Sequence, residues 1–562
     1  GDTMSKSLNL PLLVQKAAQW PGVKVAETVD LACFPETLGY LQQRITQNSI
    51  NRLVIAGCSN RTHESLFQRM VRQTGLNPYL MELVNLRDQC STVHMLQHEL
   101  ANRKATEMVR LAVGRVKAAQ PVHKQAASCE GTALIIGAGL AGMTAALAIA
   151  DSDYDVILVE RKERFGGHLQ ELYYVAEGDN PRRLGRDLIN RVRAHSRIVS
   201  YTHTEMIDHG GRVGNFWADL RTTRADGSTH DFRVNHGVTI IATGGRENRN
   251  HPWLDIPGVI TQEKLEEKVV HRPEEIAALK DVVMIQCIQE PGAAEYCSRI
   301  CCTNTMKNAI RLKLFNPSCR VTVLYKNIVT YGFREKYYTE ARRLGVLFMR
   351  YTDEEPPQIT TAVNGNGRLA VRVRDLSLDR WLTLPADLIP LSVSIAPSRG
   401  TGALAEMLRL PLSTEGFFSE AQLKLRPMDF SRDGIFLAGM AHYPKFVEET
   451  ISHAQAAAAR AITMLSQGTM YHGGVVAEVD PNKCVGCLTC TRVCPFAIPQ
   501  VLQTAGRSGV GGLGGAAFID PAQCHGCGTC TSECPANAIQ LINYTDEQVM
   551  LTEIGGLGSW QN

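Results

Sequence analysis

The stretch Ala133–Ala150, "ALIIGAGLAGMTAALAIA", decides the fold. It runs for eighteen residues without a charge, close to the length of a membrane-spanning helix. Yet Gly137, Gly139 and Gly142 stand in G-x-G-x-x-G spacing, directly after the β-like run "ALII" and at the head of an alanine-rich segment. A buried strand, a tight turn and a buried helix account for the apolarity, so no transmembrane segment is read here. Glycines in such a turn let the backbone approach a pyrophosphate, and the helix N-terminus faces its negative charge. A second β-like run, "DVILVE" (Asp155–Glu160), ends in Glu160, at about the twenty-residue distance where an acidic side chain meets a ribose hydroxyl. "RKERFGGHL" follows, with Arg161 at its head and Gly166 and Gly167 keeping side chains away from a nucleotide. Further on, "VTIIATGG" (Val238–Gly245) supplies Thr243 and Gly244, and "DGIFLAGMAHYPK" (Asp433–Lys445) supplies Gly439. Each is a strand running into a glycine turn.

This set resembles the FAD domain of the thioredoxin-reductase-like flavoproteins, which implies that these ten residues contact FAD. Those enzymes interrupt the FAD domain with a second, similar fold that binds NAD(P)H through its own glycine turn. Here the corresponding strands are present as "DVVMIQC" (Asp281–Cys287) and "VTVLYK" (Val321–Lys326), but no glycine fingerprint lies between them. Cys287, Cys297, Cys301 and Cys302 stand there instead, the last three within "EYCSRICCTNTMK" (Glu295–Lys307), which otherwise reads as helix. Four thiolates near a strand end and the first turns of a helix can hold an iron–sulfur cluster. A structural zinc site is the alternative; neighbouring Cys301 and Cys302 are poorly placed for a disulfide.

The C-terminus carries the same chemistry in a firmer pattern. "CVGCLTCTRVCP" places Cys484, Cys487, Cys490 and Cys494, and "CHGCGTCTSECP" repeats it at Cys524, Cys527, Cys530 and Cys534. This is the run of two-cluster ferredoxins, in which the fourth cysteine of each run ligates the other cluster. One cluster is therefore expected on Cys484, Cys487, Cys490 and Cys534, and the other on Cys524, Cys527, Cys530 and Cys494. The glycine-rich "AGRSGVGGLGGAAF" (Ala505–Phe518) between the runs has no chemistry that can be assigned.

Composition excludes several classes. The chain has 562 residues, 44% hydrophobic and 20% charged, with a net charge of +3, the profile of a globular protein of several domains. No basic stripe with interleaved aromatics appears, so nucleic acid is not expected as a partner. The N-terminus lacks the pattern of a signal peptide. Of the seventeen cysteines, Cys319 precedes a strand and reads as a small core residue. Cys33, Cys58, Cys90 and Cys129 remain.

The N-terminal segment makes a more specific resemblance. "GCSNRTHESLFQRMVRQTGLNPYLMELVNLRDQCSTVH" (Gly57–His94) and "KATEMVRLAV" (Lys104–Val113) look like the first domain of the heterodisulfide reductase A subunit. "YCSRICCTNTMKNAI", "YGFREKYYTEARRLGV", "LRPMDFSRDGIFLAGMAHYPK" and the ferredoxin tail continue the match in order. The resemblance implies a cytoplasmic oxidoreductase subunit of anaerobic electron-transfer complexes. Its cofactors would be FAD and at least three [4Fe-4S] clusters, with a fourth if Cys33, Cys58 and Cys90 hold one; Cys129 is a candidate for the missing ligand. It also implies Lys307 near the flavin ring and His442 where an FAD-domain strand meets the isoalloxazine, both as catalytic residues. The partners implied are ferredoxin and further subunits, either those like the B and C subunits of heterodisulfide reductase or a hydrogenase-linked subunit, in a complex that dimerises. FAD would split or merge electron pairs between them (flavin-based bifurcation). A relay without splitting, as in quinone-interacting oxidoreductase subunits, and a structural hub with a vestigial flavin are the alternatives. Two features depart from the family: "RFGGHLQELYYVAEGDNPRRL" (Arg164–Leu184) runs on without the additional ferredoxin inserted in the longest members, and their early Cys-His-Cys segment is absent.

The expected organisation is α/β throughout the core. An N-terminal α/β domain spans 1–128, a thioredoxin-reductase-like FAD domain spans 129–275 and 385–470, a degenerate NAD(P)H-type domain carrying the cysteines spans 276–384, and a 2[4Fe-4S] ferredoxin domain spans 471–562.

Overall fold

The apolarity of Ala133–Ala150 comes from burial on every side. In the computed structural model, which describes residues 2–289, 295–361, 368–496, 498–502 and 515–557, strand Thr132–Ile136 is the central strand of a five-stranded parallel sheet. The order is Ile435–Leu437, Val238–Ile241, Thr132–Ile136, Asp155–Val159, Ile198–Tyr201. Ala133 and Ile135 join one core with helices Leu140–Ala150 and Val447–Leu465, while Leu134 and Ile136 join another with Phe216 and Leu220 of an antiparallel three-stranded sheet. A strand covered on both faces reads as a continuous apolar run. Helix Leu140–Ala150 is buried along nearly its whole length, which explains its lack of a polar face.

The same plan recurs in the middle of the chain. A second five-stranded parallel sheet has the order Val259–Thr261, Ile389–Val393, Asp281–Ile288, Arg320–Tyr325, Leu347–Arg350, again beside a three-stranded antiparallel sheet (Gln358–Thr361, Leu369–Asp375, Arg380–Ala386). Strand Asp281–Ile288 occupies the central place that Thr132–Ile136 holds in the first sheet. The two folds are joined through the antiparallel pair Gly245–Glu247 and Ile395–Pro397. This is the thioredoxin-reductase-like arrangement, one nucleotide fold interrupted by another.

The chain divides into two compact units, residues 127–470 on one hand and 1–126 with 471–562 on the other. In the second of these, the parallel pair Leu53–Gly57 and Met81–Asn85 is covered on one side by Ile45, Phe67, Met70 and Val71 from helices Pro35–Gln47 and Asn60–Gln73. Ala101, Ala105, Val109 and Ala112 of helix His98–Ala118 cover the other. The ferredoxin segment docks on that helix through helix Asp546–Leu557. Asn543 fastens the junction, accepting from the Gln120 N–H at 2.8 Å and donating to the Gln120 carbonyl at 3.1 Å. No helix among the described residues is long and apolar enough to cross a membrane.

Candidate functional site

The glycine turn after Thr132–Ile136 is forced by protein on two sides and open on the third. Gly137 has φ of +107° and a Cβ there would run into the Ala242 carbonyl; a Cβ on Gly142 would run into the carbonyl of Gly137. Around Gly139, by contrast, a Cβ would meet nothing within 4 Å, and the same holds for Gly244, whose φ is +73°. Gly166 and Gly167 are both left-handed, and a Cβ on Gly167 would sit 3.2 Å from the Gly139 Cα. Next to Gly244, the Thr243 hydroxyl is buried and has no hydrogen-bond partner within the protein. Open backbone at Gly139 and Gly244 beside an orphaned hydroxyl fits a dinucleotide that covers this edge and pairs with Thr243.

Glu160 and Arg161 have partners of their own. The Glu160 carboxylate accepts from the Ala138 N–H at 2.9 Å and the Lys162 N–H at 2.8 Å, bracing the glycine turn while lone pairs remain for a ribose hydroxyl. Arg161 donates to the Arg399 carbonyl at 2.7 Å. Gly439 has φ of +64° and a Cβ there would be 2.6 Å from the Ala141 Cβ, so its glycine serves contact between strand end and helix. The Gly439 N–H donates to His453 Nδ1 at 2.9 Å.

His442 lies in a chain of half-buried polar groups that ends on the buried His453. It meets Glu420 at 2.8 Å through Nε2 and Lys445 Nζ at 3.1 Å through Nδ1, and its ring stacks on His453 with centroids 5.4 Å apart. Burial, reinforced by Lys445, holds His442 below the usual imidazole range, and burial brings His453 to about 3 and Lys445 to about 8. No sequence motif marks Glu420, Lys445 and His453 as members of a site. Lys445 is visible there only as a polar residue before helix Val447–Leu465, and His453 only as one within it.

Lys307 is neither a solvated helix lysine nor a lone cation. It is buried, pairs with Glu266 at 2.6 Å, donates to the Tyr174 carbonyl at 2.8 Å and lies over the Tyr174 ring at 4.8 Å. Burial pushes Lys307 down and Glu266 up, and their mutual attraction opposes both shifts. Glu266 does carry a sequence signal: in helix Gln262–His271 it stands on the face buried with Leu265 and Val269, where a charge needs a partner. Tyr174 comes after the Gly166–Gly167 turn, so this pair ties the second nucleotide fold to the first.

The central cysteines meet where strand and helix end. Pairing of Asp281–Ile288 with Ile389–Val393 slips between Ile285 and Ile288, and Cys287 has φ of +60°, a region that side-chain-bearing residues visit rarely. The segment expected to be helical from Glu295 is not. Arg299 turns left-handed at φ +52°, the Ile300 N–H bonds to the Ser298 carbonyl at 2.6 Å, and the helix begins at Cys301 (Cys301–Phe315). Cys297 therefore comes from the approach, Cys301 and Cys302 from the first turn, and Cys287 from the strand. All four lie close enough to interact electrostatically. Burial pushes the Cys301 thiol far up and Cys302 to about 11, so a bound metal would be needed to hold them as thiolates. The Arg299 N–H reaches Cys297 Sγ at 3.3 Å and the Val329 N–H reaches Cys302 Sγ at 3.3 Å. Adjacent in sequence to Cys287 and Cys302, the amide of Gln286 and the hydroxyl of Thr303 are buried with no partner within the protein.

In the ferredoxin segment two spaces open side by side. One, of about 360 Å³, is lined by Cys484, Cys487, Cys490 and Cys534; the other, of about 340 Å³, by Cys494, Cys524, Cys527 and Cys530. Their walls match pairwise. Gly486 and Gly526 have φ of +66° and +65°, and N–H groups of Ala517 and Ala477 reach Cys484 and Cys524 at 3.4 and 3.5 Å. Among the described residues no three His, Cys, Asp or Glu side chains are drawn around a single-ion centre. Thiolates about 2.3 Å from one zinc would crowd together, whereas each set of four here lines an open space. Residues 505–514 of the glycine-rich loop lie outside the described residues.

The N-terminal cysteines are not gathered in this way. Cys33 packs with the apolar cluster on one face of the two-stranded sheet, and Cys90 is buried in the cluster on the other, its thiol donating to the Ala101 carbonyl at 3.2 Å. Cys58 faces Arg87, 3.8 Å away. Cys129 belongs to the other unit and packs against its FAD-fold core, and Cys319 is buried in the core of the second fold.

A family model described as an FAD binding domain matches residues 132–171, and one described as a 4Fe-4S dicluster domain matches residues 483–539. An iron-sulfur A subunit of CoB--CoM heterodisulfide reductase from Methanopyrus kandleri, the form numbered 1, is 29% identical over 90% of this chain and 90% of its own. The corresponding A subunit of Methanocaldococcus jannaschii is 29% identical over 85% of this chain and 86% of its own. The chain is thus similar over most of its length to A subunits of heterodisulfide reductase. The A subunit of the H(2):CoB-CoM heterodisulfide,ferredoxin reductase of Methanothermobacter thermautotrophicus is 28% identical over 85% of this chain and 86% of its own. Among solved structures, thioredoxin reductase of Lactococcus lactis aligns with a TM-score of 0.42 and 15% identity over 60% of this chain and 100% of its own. The chain is an oxidoreductase subunit whose cofactors are FAD and [4Fe-4S] clusters.

Proposed function

We propose that this protein distributes electrons at FAD, splitting or merging pairs between ferredoxin and the clusters of partner subunits in a heterodisulfide-reductase-type complex. The observation that carries the reading is the exchange in the second nucleotide fold: four thiols stand where an NAD(P)H pyrophosphate turn would be, so the partner of the flavin here is a one-electron centre. Three clusters are assigned, on Cys287, Cys297, Cys301 and Cys302, on Cys484, Cys487, Cys490 and Cys534, and on Cys494, Cys524, Cys527 and Cys530. Bound FAD supplies the exchange between paired and single electrons.

The chain's own residues hold and tune it. Gly139 and Gly244 admit the pyrophosphate edge, Glu160 and Thr243 take hydroxyls, and Gly166 and Gly167 keep the adenosine side clear. The Lys307 ammonium can donate a proton or a hydrogen bond toward the first fold, with Glu266 as its counter-ion. His442, held between Glu420 and Lys445, is a second donor. Helix Cys301–Phe315 carries both the thiol pair and Lys307, five residues apart from Cys302 and roughly 7.5 Å along the axis at about 1.5 Å per residue, so one rigid element serves cluster and flavin. Further subunits of the complex, of the type of the B and C subunits or a hydrogenase-linked one, would receive or supply the electrons, and the complex would dimerise.

The test is a redox titration of anaerobically purified protein that resolves the two one-electron potentials of the flavin. Strongly crossed potentials are expected for pair splitting. Ordered potentials with a well-populated one-electron state would leave a simple relay.

A further inference from the structure

Two polar side chains beside the central cysteines are buried with nothing to bond to. Gln286 has no exposed surface and neither its Nε2 nor its Oε1 has a partner; Thr303 is 1% exposed and its Oγ1 is likewise alone. Leaving such groups unpaired is costly, and native proteins rarely do it. The two are adjacent in sequence to cluster ligands, Gln286 to Cys287 and Thr303 to Cys302.

Their placement is set by regular geometry. Side chains alternate along a strand, and Val282 and Met284 of Asp281–Ile288 pack in one core with Met306, Ala309 and Leu312 of helix Cys301–Phe315. Gln286 is the next residue of that row. Thr303 stands one turn before Met306 on the helix, so it extends the helix's own row toward the same end. Both rows end next to cysteines in the chain, Gln286 preceding Cys287 and Thr303 following Cys302. The strand then leaves the pattern, through the left-handed Cys287 and the slipped pairing, and Ile288 returns to the opposite core.

We infer that Gln286 and Thr303 are positioning residues for the central cluster, donating hydrogen bonds from Nε2 and Oγ1 to its sulfurs and holding its reduction potential up. The inference rests on the assignment of that cluster to Cys287, Cys297, Cys301 and Cys302. Sulfur acceptors are the chemistry that fits two buried donors here, and donors to cluster sulfur stabilise the more negative reduced state. The structure thus makes the strand-to-helix corner a cage that supplies ligands and donors from the same two elements.

Gln286→Met and Thr303→Val remove the donors while keeping volume, and Thr303→Ser keeps the hydroxyl. In whole protein purified anaerobically, iron content and EPR signals are read against potential, with exchangeable-proton couplings measured in H2O and 2H2O. The expected result is a central-cluster signal retained in each variant. Its midpoint should fall by about 59 mV for each tenfold loss in the reduction equilibrium, one exchangeable coupling should disappear, and Thr303→Ser should restore wild-type values. The ferredoxin signals stay fixed. A central cluster present with unchanged midpoint and couplings in both donor-free variants overturns the inference, and assigns the two groups to a buried water instead. A wild-type protein lacking any third cluster overturns the cluster assignment itself.

Discussion

The two nucleotide folds of this chain share four strand positions around an equivalent central strand, the fifth being Ile435–Leu437, last in sequence, in the first and Val259–Thr261, first in sequence, in the second; beyond the central strand they differ completely. After Thr132–Ile136 comes a glycine turn whose carbonyls leave room for no side chain at Gly137 or Gly142. After Asp281–Ile288 come a left-handed cysteine, an irregular approach and a helix headed by two thiols. In both, the strand end and helix N-terminus form one corner with backbone donors and a positive dipole end. On the function proposed above, glycines make that corner a phosphate cradle and cysteines make it a cage for a metal cluster. The scaffold sets where chemistry happens, and the few residues of the corner set which chemistry.

The largest effect is expected where the two folds are tied together. Lys307→Ala leaves Glu266 buried without its counter-ion, a change worth about 3–5 kcal/mol in comparable buried pairs. Denaturant unfolding should show that loss, and Lys307→Ala combined with Glu266→Ala should recover most of it. Flavin potential should fall in the single variant, since the nearby cation is gone; full stability in Lys307→Ala would remove the tie from the comparison.

Next come the glycines of the first corner. Gly142→Ala forces a Cβ into the Gly137 carbonyl and should cost about 1–3 kcal/mol together with FAD. Gly139→Ala, facing open space, should leave the apo protein's stability unchanged and weaken FAD binding alone. Equal thermal shifts for the two would show that the open edge is not the cofactor's side.

The folds should also differ toward acid. The first holds three buried imidazoles brought low by burial, His209 to about 2 and His236 and His453 to about 3. Between pH 6.5 and 3 the unfolded chain binds protons at these rings and the native fold does not, so stability falls as pH falls and is level above 6.5. His453→Gln, which still accepts from Gly439, should gain back about 2 kcal/mol at pH 5, taking 1.36 kcal/mol per pH unit. Unfolding curves with the same acid slope in variant and wild type would show that His453 is protonated in the native state.

Much of this contrast was legible in the sequence, and for a definite reason. Glycine turns and cysteine runs are local: spacing alone states that Gly137, Gly139 and Gly142 or Cys484, Cys487 and Cys490 share one turn of chain. What the sequence did not disclose depends on packing between distant segments. Glu266 meets Lys307 across 41 residues, and Gln120 meets Asn543 across 423, the second uniting the N-terminal and ferredoxin segments in one unit. Cys287 and Arg299 adopt left-handed backbone that no propensity assigns to them, which is why the helix starts at Cys301 instead of Glu295.

The smallest effect is expected from pyridine nucleotides. With no G-x-G-x-x-G fingerprint in the sequence after Asp281–Ile288, NADH and NADPH should bleach the flavin slowly or not at all in stopped-flow mixing. Rapid stoichiometric bleaching by either would restore a nucleotide site to the second corner.

The central claim, that the second corner holds a cluster, is tested most directly by counting iron and recording EPR spectra of the reduced protein before and after Cys302→Ala. About twelve irons per chain are expected from three four-iron clusters. The variant should keep FAD and both ferredoxin signals while losing about four irons and one signal. About eight irons in the wild type, with an unchanged spectrum in the variant, would contradict the claim.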